Sequence, residues 1–244
     1  MIKFFRKIRQ NLLMKNNTGT YFKYAIGEII LVIIGILIAV SINGWNEDRK
    51  LKQEEQSILK DLKQEMKMNL GALKNVIEGH EKSFEGALEM RALFEDRETF
   101  DKLSDSEFES IFRKMISNDT YDPRNGILNS IISSGRINQL SKKELIYLLA
   151  SIKEWTVDAF ENTMEIERLK DDLLFSTYEN ARIIKDGKIV ESGLQWKTFY
   201  DHPPFRSLTN ALYYFDRQYG LREEKELKQA LEHIIELLDQ QIEK

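Results

Sequence analysis

The chain contains no cysteine, three prolines and three histidines among 244 residues. Without cysteine there is no disulfide, no zinc–thiolate site and no thiol nucleophile. The prolines, at 123, 203 and 204, leave long stretches in which nothing forbids helix. His80, His202 and His233 are scattered, with neither HExxH nor His-x-His spacing. No metal or cofactor site is therefore expected, and surface or cap positions are the default for all three. GxGxxG, P-loop and GxSxG patterns are missing too. Ser133-Ser134-Gly135 reads as a helix end rather than a nucleophile turn. Asp171-Asp172 with Glu165 and Glu167 reads as an acidic helix stretch. No catalytic constellation emerges, and an enzyme is the least expected class.

What the chain has instead is one long apolar run. Tyr24 to Ile42 reads YAIGEIILVIIGILIAVSI, nineteen residues with a single charge, Glu28. As a helix it reaches about 28 Å, enough for a bilayer's hydrocarbon core. Its eight Ile, two Leu and two Val favour insertion by roughly 4 to 7 kcal/mol. Glu28 costs about 2.5 to 3.5 kcal/mol at most, and less near an end, so the aliphatic residues win. Tyr21, Phe22 and Tyr24 on one flank and Trp45 on the other stand where interfacial aromatics belong. A cleaved signal peptide, cut near Ala39-Val40-Ser41, is the competing reading. The run is longer than a usual signal core, which favours an uncleaved anchor.

Residues 1–23 carry Lys3, Arg6, Lys7, Arg9, Lys15 and Lys23 and no acid. The positive-inside rule then puts the N-terminus in the cytoplasm and residues 43–244 outside it. Segment 2–13 reads either as an amphipathic helix on the inner leaflet or as a basic tail. Of the 36 basic and 40 acidic residues, six and one precede residue 46, leaving 30 against 39. That acidic remainder is a poor match for nucleic acid.

Beyond Trp45 the periodicity is helical. Leu51, Ile58, Leu62, Met66, Leu70, Leu73, Ile77, Phe84 and Leu88 recur mostly at three, four or seven residues. This predicts one long helix to about Phe94, with Gly44, Gly71, Gly79 and Gly86 as weak points. Ser104–Glu107 and Ser141–Glu144 are capping-box patterns. A short helix over 127–134 ends at Gly135, and a longer one runs from Ser141 to about Asn180. Further helices are expected over 206–219 and 221–242. Arg182 to Val190 carries a hairpin signal around Asp186-Gly187, with an ordered loop as the alternative. The expected class is all-α: one transmembrane helix leading into a long helix and an antiparallel bundle, with a hairpin or loop excursion at 181–205.

The N-terminal MIKFFRKIRQNLL and FKYAIGEIILVIIGILIAVSINGWNEDRK, together with YDPRNGILNSIISSGRINQLSKKEL at 121–145, carry a resemblance. They resemble uncharacterised single-pass inner-membrane proteins of Bacteroidota with a YAIGEIxLVxxGIxIA-type anchor. The resemblance implies inner-membrane placement and a periplasmic helical domain, and no catalytic role.

Two sets of residues are candidates for contact. Tyr24, Glu28, Gly35 and Ala39 share one face of the apolar helix, and Gly35-xxx-Ala39 permits close approach of a second helix. Glu28 either bonds across such a contact, snorkels to the interface, or carries protons. Trp196, Phe199, Tyr200 and Phe205 form a candidate ligand or partner surface, against the alternative that these rings pack the excursion onto the bundle. The leading function is a membrane-anchored interaction or scaffold subunit. Its partners would be the lipid bilayer and either copies of itself or another membrane protein. A sensor-like ligand-binding protein is the alternative, and a proton-coupled accessory subunit using Glu28 the third.

Overall fold

The computed structural model describes residues 18–179, 182–185, 188–191, 196–214 and 216–242. Segment 2–13 and the Asp186-Gly187 turn lie outside the described residues, as do the side chains of Tyr21, Tyr24 and Trp196. The chain divides into two compact units, one up to Glu55 and one from Gln56 onward.

Helix α1, Thr18–Glu95, is 78 residues long. It passes Gly44, Gly71, Gly79 and Gly86 without a break, although each glycine costs up to about 1 kcal/mol of helix propensity. Two of these glycines have a packing reason. A Cβ on Gly86 would lie 2.6 Å from the Met115 backbone nitrogen, and one on Gly79 would strike the Asp119 carboxylate. At Gly79 and Gly86 another segment comes close, whereas a Cβ on Gly44 or Gly71 would meet nothing within 4 Å.

In the second unit, α2 (Arg97–Lys102) starts at Asp96, whose carboxylate accepts from the Thr99 N–H at 3.1 Å. Helix α3 (Asp105–Ile116) starts in the predicted capping box: Ser104 Oγ accepts from Glu107 N, and the Glu107 carboxylate accepts from Ser104 N. Helix α4 (Gly126–Ser133) ends before Gly135, which takes φ 72°, the left-handed conformation glycine adopts without strain. A 3₁₀ turn (Arg136–Gln139) leads to α5 (Lys143–Glu179), 37 residues long. The hairpin signal is realised as β1 (Arg182–Lys185) paired antiparallel with β2 (Lys188–Glu191), Ile184 opposite Ile189. A second 3₁₀ stretch (Trp196–Asp201) precedes α6 (Pro203–Tyr214) and α7 (Asp216–Gln241). Among the described residues the fold is all-α with this one small hairpin.

The last helices depart from the expected boundaries. Helix α7 already begins at Asp216, so Gly220, the expected boundary, lies inside it. A Cβ on Gly220 would sit 3.3 Å from Asn162 Cβ, so this glycine serves helix contact rather than termination. Helix α7 runs antiparallel to α1: Lys63 pairs with Asp239, Lys74 with Glu232 at 3.1 Å and Glu81 with Lys225 at 2.6 Å.

Two apolar cores fill the second unit. The first is mainly aliphatic, joining Leu59, Leu62, Met66 and Leu73 of α1 to Leu145 and Leu149 of α5 and Leu231, Ile234 and Leu238 of α7. The second is rich in phenylalanine: Phe94, Phe100, Phe108, Phe112, Phe199 and Phe205 gather around Met90 and Met115.

Candidate functional site

The face proposed for membrane-helix contact lies on α1. Glu28 is half-buried, while Gly35 and Ala39 are open along their helix. A Cβ on Gly35 would meet nothing within 4 Å, so nothing among the described residues requires that glycine. Ile26, Ile29 and Ile30 and nearly every apolar residue onward to Ile42 and Trp45 are about half exposed or more. This part of α1 is long and apolar enough to cross a membrane.

The aromatic candidates separate. Phe199 and Phe205 are only 3% and 2% exposed and stack on each other at 4.6 Å between ring centroids. They belong to the phenylalanine core, where burying two rings stabilises more than presenting them would. Tyr200 is half-buried and sits under the Arg97 guanidinium, 4.4 Å from the ring centroid. Arg97 also holds Asp201 at 2.8 Å and Asp101 at 3.0 Å. Those two carboxylates raise its pKa above the usual guanidinium value.

A second constellation was not visible in the spacing of the sequence. Glu65, Asn69, His80 and Ser83 are buried polar residues along α1, and each holds part of the segment from Met115 to Leu128. Ser83 Oγ donates to Met115 O at 2.7 Å. Asn69 donates from its side chain to Arg124 O and accepts from Arg124 N, both at 2.8 Å. Glu65 accepts from the Ile127 and Leu128 N–H groups at 2.7 and 2.9 Å. It therefore caps α4 from a neighbouring helix, with its charge at the positive end of the helix dipole. The segment runs antiparallel along α1, its polar backbone satisfied by one row of side chains.

His80 is the centre of this row. It was expected at a surface or cap, and the structure buries it completely. Its Nε2 lies 2.8 Å from Asp119 O, and a carbonyl oxygen only accepts, so Nε2 carries a proton. Its Nδ1 lies 2.7 Å from Glu224 Oε1, with one proton between them. Thr163 also reaches Glu224 Oε1, at 3.4 Å. Asn118 bonds the Thr163 carbonyl and Glu167, and Arg217 reaches Asn118 Oδ1 at 2.7 Å. Burial raises the Glu167 pKa, but hydrogen bonds from Lys170 and Asn118 outweigh it and leave the carboxyl below the ordinary value. Burial also pushes the Tyr121 hydroxyl up to about 12. The network ties α1, the 117–119 turn, α5 and α7 together. With His80 and Glu224 closed off from solvent, its chemistry is that of a clasp.

The other histidines behave as expected. His202 Nδ1 accepts from Phe205 N at 3.3 Å and caps α6. His233 is exposed beside Glu144, at 3.2 Å, and lowers that carboxyl's pKa. Among the described residues no three His, Asp or Glu side chains converge as a metal-binding group. The signal for the buried row was present in outline: Glu65, Asn69, His80 and Ser83 follow helical steps beside the apolar stripe. What the sequence lacks is the identity of the segment they face.

No curated protein and no solved structure matches the chain. A model of a family of unknown function, DUF6090, matches residues 28–174. That stretch holds most of α1, the clasped segment and all but the end of α5, more than half of the chain. The chain belongs to the DUF6090 family.

Proposed function

We propose that this protein is a non-catalytic, membrane-anchored interaction subunit. Its apolar α1 stretch would sit in the bacterial inner membrane, with residues 1–23 cytoplasmic and residues 43–244 periplasmic. The observation that carries the reading is the exposure of the aliphatic residues from Ile26 to Ile42 on every side of the helix. A soluble protein does not leave so large an apolar surface in water. The basic residues before Lys23 and the acidic balance after Trp45 support the orientation. The buried row on α1 supports a scaffold, because it fixes a loop rigidly instead of opening a pocket. Tyr24, Glu28, Gly35 and Ala39 are the helix face through which a neighbour would pack.

Carbonate extraction of membranes and thiol labelling of single cysteines at Lys15 and Lys153 test the placement. The expected outcome is a pelleted protein labelled by an impermeant reagent at Lys153→Cys and not at Lys15→Cys in intact cells. A soluble protein, or the reverse labelling, would overturn it.

A further inference from the structure

Helices α1 and α7 leave an open groove along their outer side. One hollow of about 670 Å³ has Phe84 and Leu221 among its lining; a second of about 310 Å³ lies over Ile77. Glu81, Lys225 and Gln229 belong to both, so the two form one channel. The rims are charged, and their signs are ordered. Lys74 on α1 faces Glu232 on α7, whereas Glu81 on α1 faces Lys225 on α7. The same antiparallel register sets Glu78 level with Lys228, and Glu85 level with Arg222. At each of these levels one rim is acidic and the other basic, and the order reverses between Lys74 and Glu78. Glu226 is the exception on the basic run, and it pairs with Arg222 at 3.8 Å.

We propose that this groove is the contact face for a second copy of the chain, related by a two-fold axis parallel to α1. That operation lays the α1 rim of one copy over the α7 rim of the other at the same height. Lys74, Glu78, Glu81 and Glu85 of one copy then meet Glu232, Lys228, Lys225 and Arg222 of the other. A two-fold axis across the groove, centred on this stretch, would instead set Glu78, Glu81 and Glu85 against the same acidic run. Both side chains of the Lys74–Glu232 and Glu81–Lys225 pairs are about half exposed. Exposed pairs of this kind hold one chain together only weakly, so exchange of partners between copies costs little. The reversal of sign also fixes the register, because a slide along the groove brings like charges together.

The inference rests on the membrane-anchored reading for its choice of occupant. The parallel axis gives α1 the same direction in both copies, as two chains in one bilayer require. Confinement in a shared membrane raises the effective concentration at which this face acts.

The absence of cysteine makes the test direct. The full chain carrying Gln229→Cys is oxidised in native membranes, with Lys153→Cys on α5 as the control. The expected result is a homodimer cross-link at 229 at least about tenfold above the control. Two differently tagged chains, one with Glu81→Lys and one with Lys225→Glu, are then compared alone and together in the Gln229→Cys background. Alone, each sets like charges against each other across the axis and loses the cross-link. Together they form the mixed dimer at the level of the unaltered chain. Since each chain keeps its own repulsive internal pair, rescue in the mixture reports contact between chains and not repair of the fold. Lack of a cross-link at 229, a cross-link only to a different protein, or no preference for the mixed pair overturns the inference. A membrane-bound chain without the cross-link removes the dimer and keeps the anchor. A soluble chain with the cross-link keeps the dimer and removes the anchor.

Discussion

One helix, α1, is built to two different rules. From Ile26 to Ile42 apolar residues occupy every side and stay exposed. From Ile58 to Phe94 they occupy a stripe, and Leu59, Leu62, Met66, Leu73 and Met90 are fully buried. Helix propensity is lower in the first stretch, which is rich in β-branched residues, but propensity does not decide which side chains are buried. The distribution of apolar side chains around the axis does: all-round for lipid, one-sided for a protein core. Each fully buried large aliphatic side chain in the striped part contributes about 1.5 to 3 kcal/mol to folding. In the first part the same side chains contribute nothing to folding in water and favour transfer into lipid.

The largest effect that breaks this contrast is charge in the first stretch. Ile33→Arg with Ile34→Arg adds roughly 6 to 8 kcal/mol to insertion, as much as the whole aliphatic run supplies. The expected outcome is loss from the carbonate-resistant pellet, with the thermal unfolding of the second unit unmoved. Next comes Glu65→Ala, a buried change in the striped part. It leaves the Ile127 and Leu128 N–H groups without their acceptor and should cost about 2 to 5 kcal/mol, read as a lower midpoint in denaturant. An unchanged midpoint would show that the row on α1 does not hold the segment.

A matched pair of glycines sharpens the contrast. Gly86→Ala places a methyl 2.6 Å from the Met115 nitrogen and should destabilise by about 1 to 3 kcal/mol. Gly35→Ala meets nothing in its own chain and gains up to about 1 kcal/mol of helix propensity. If Gly35→Ala nevertheless lowers membrane cross-linking, a second helix packs there.

The smallest effect is on pH. Tyr121 has its folded pKa raised from 10 to about 12 by burial. An acid that is neutral when folded stabilises below its unfolded pKa and loses that contribution as pH rises through the folded one. Stability should therefore fall by about 2 kcal/mol between pH 10 and 12. Denaturant melts across that range should show the fall, and Tyr121→Phe should remove it.

Much of this architecture was legible because it depends on local pattern. The stripe from Ile58 to Phe84, the Ser104–Glu107 box, the glycine stop at 135 and the hairpin around 186 are all short-range signals. Gly220 misled, because a glycine that admits Asn162 looks the same in sequence as one that ends a helix. His80 misled for a related reason. Its partners, Asp119 and Glu224, lie 39 and 144 residues away, and no spacing rule reaches them. Phe199 and Phe205 stood between surface and core until the arrangement of α2, α3 and α6 around them decided it.

The row of polar side chains on α1 also has a meaning in time. Its contacts span increasing lengths of chain: 32 residues at Ser83–Met115, 39 at His80–Asp119, 55 at Asn69–Arg124 and 63 at Glu65–Leu128. Closing the shortest loop first makes each following closure nearly local, since only the few intervening residues remain to be ordered. Loop-closure entropy therefore favours closing these contacts in order from the turn after Glu95 back toward Gln56.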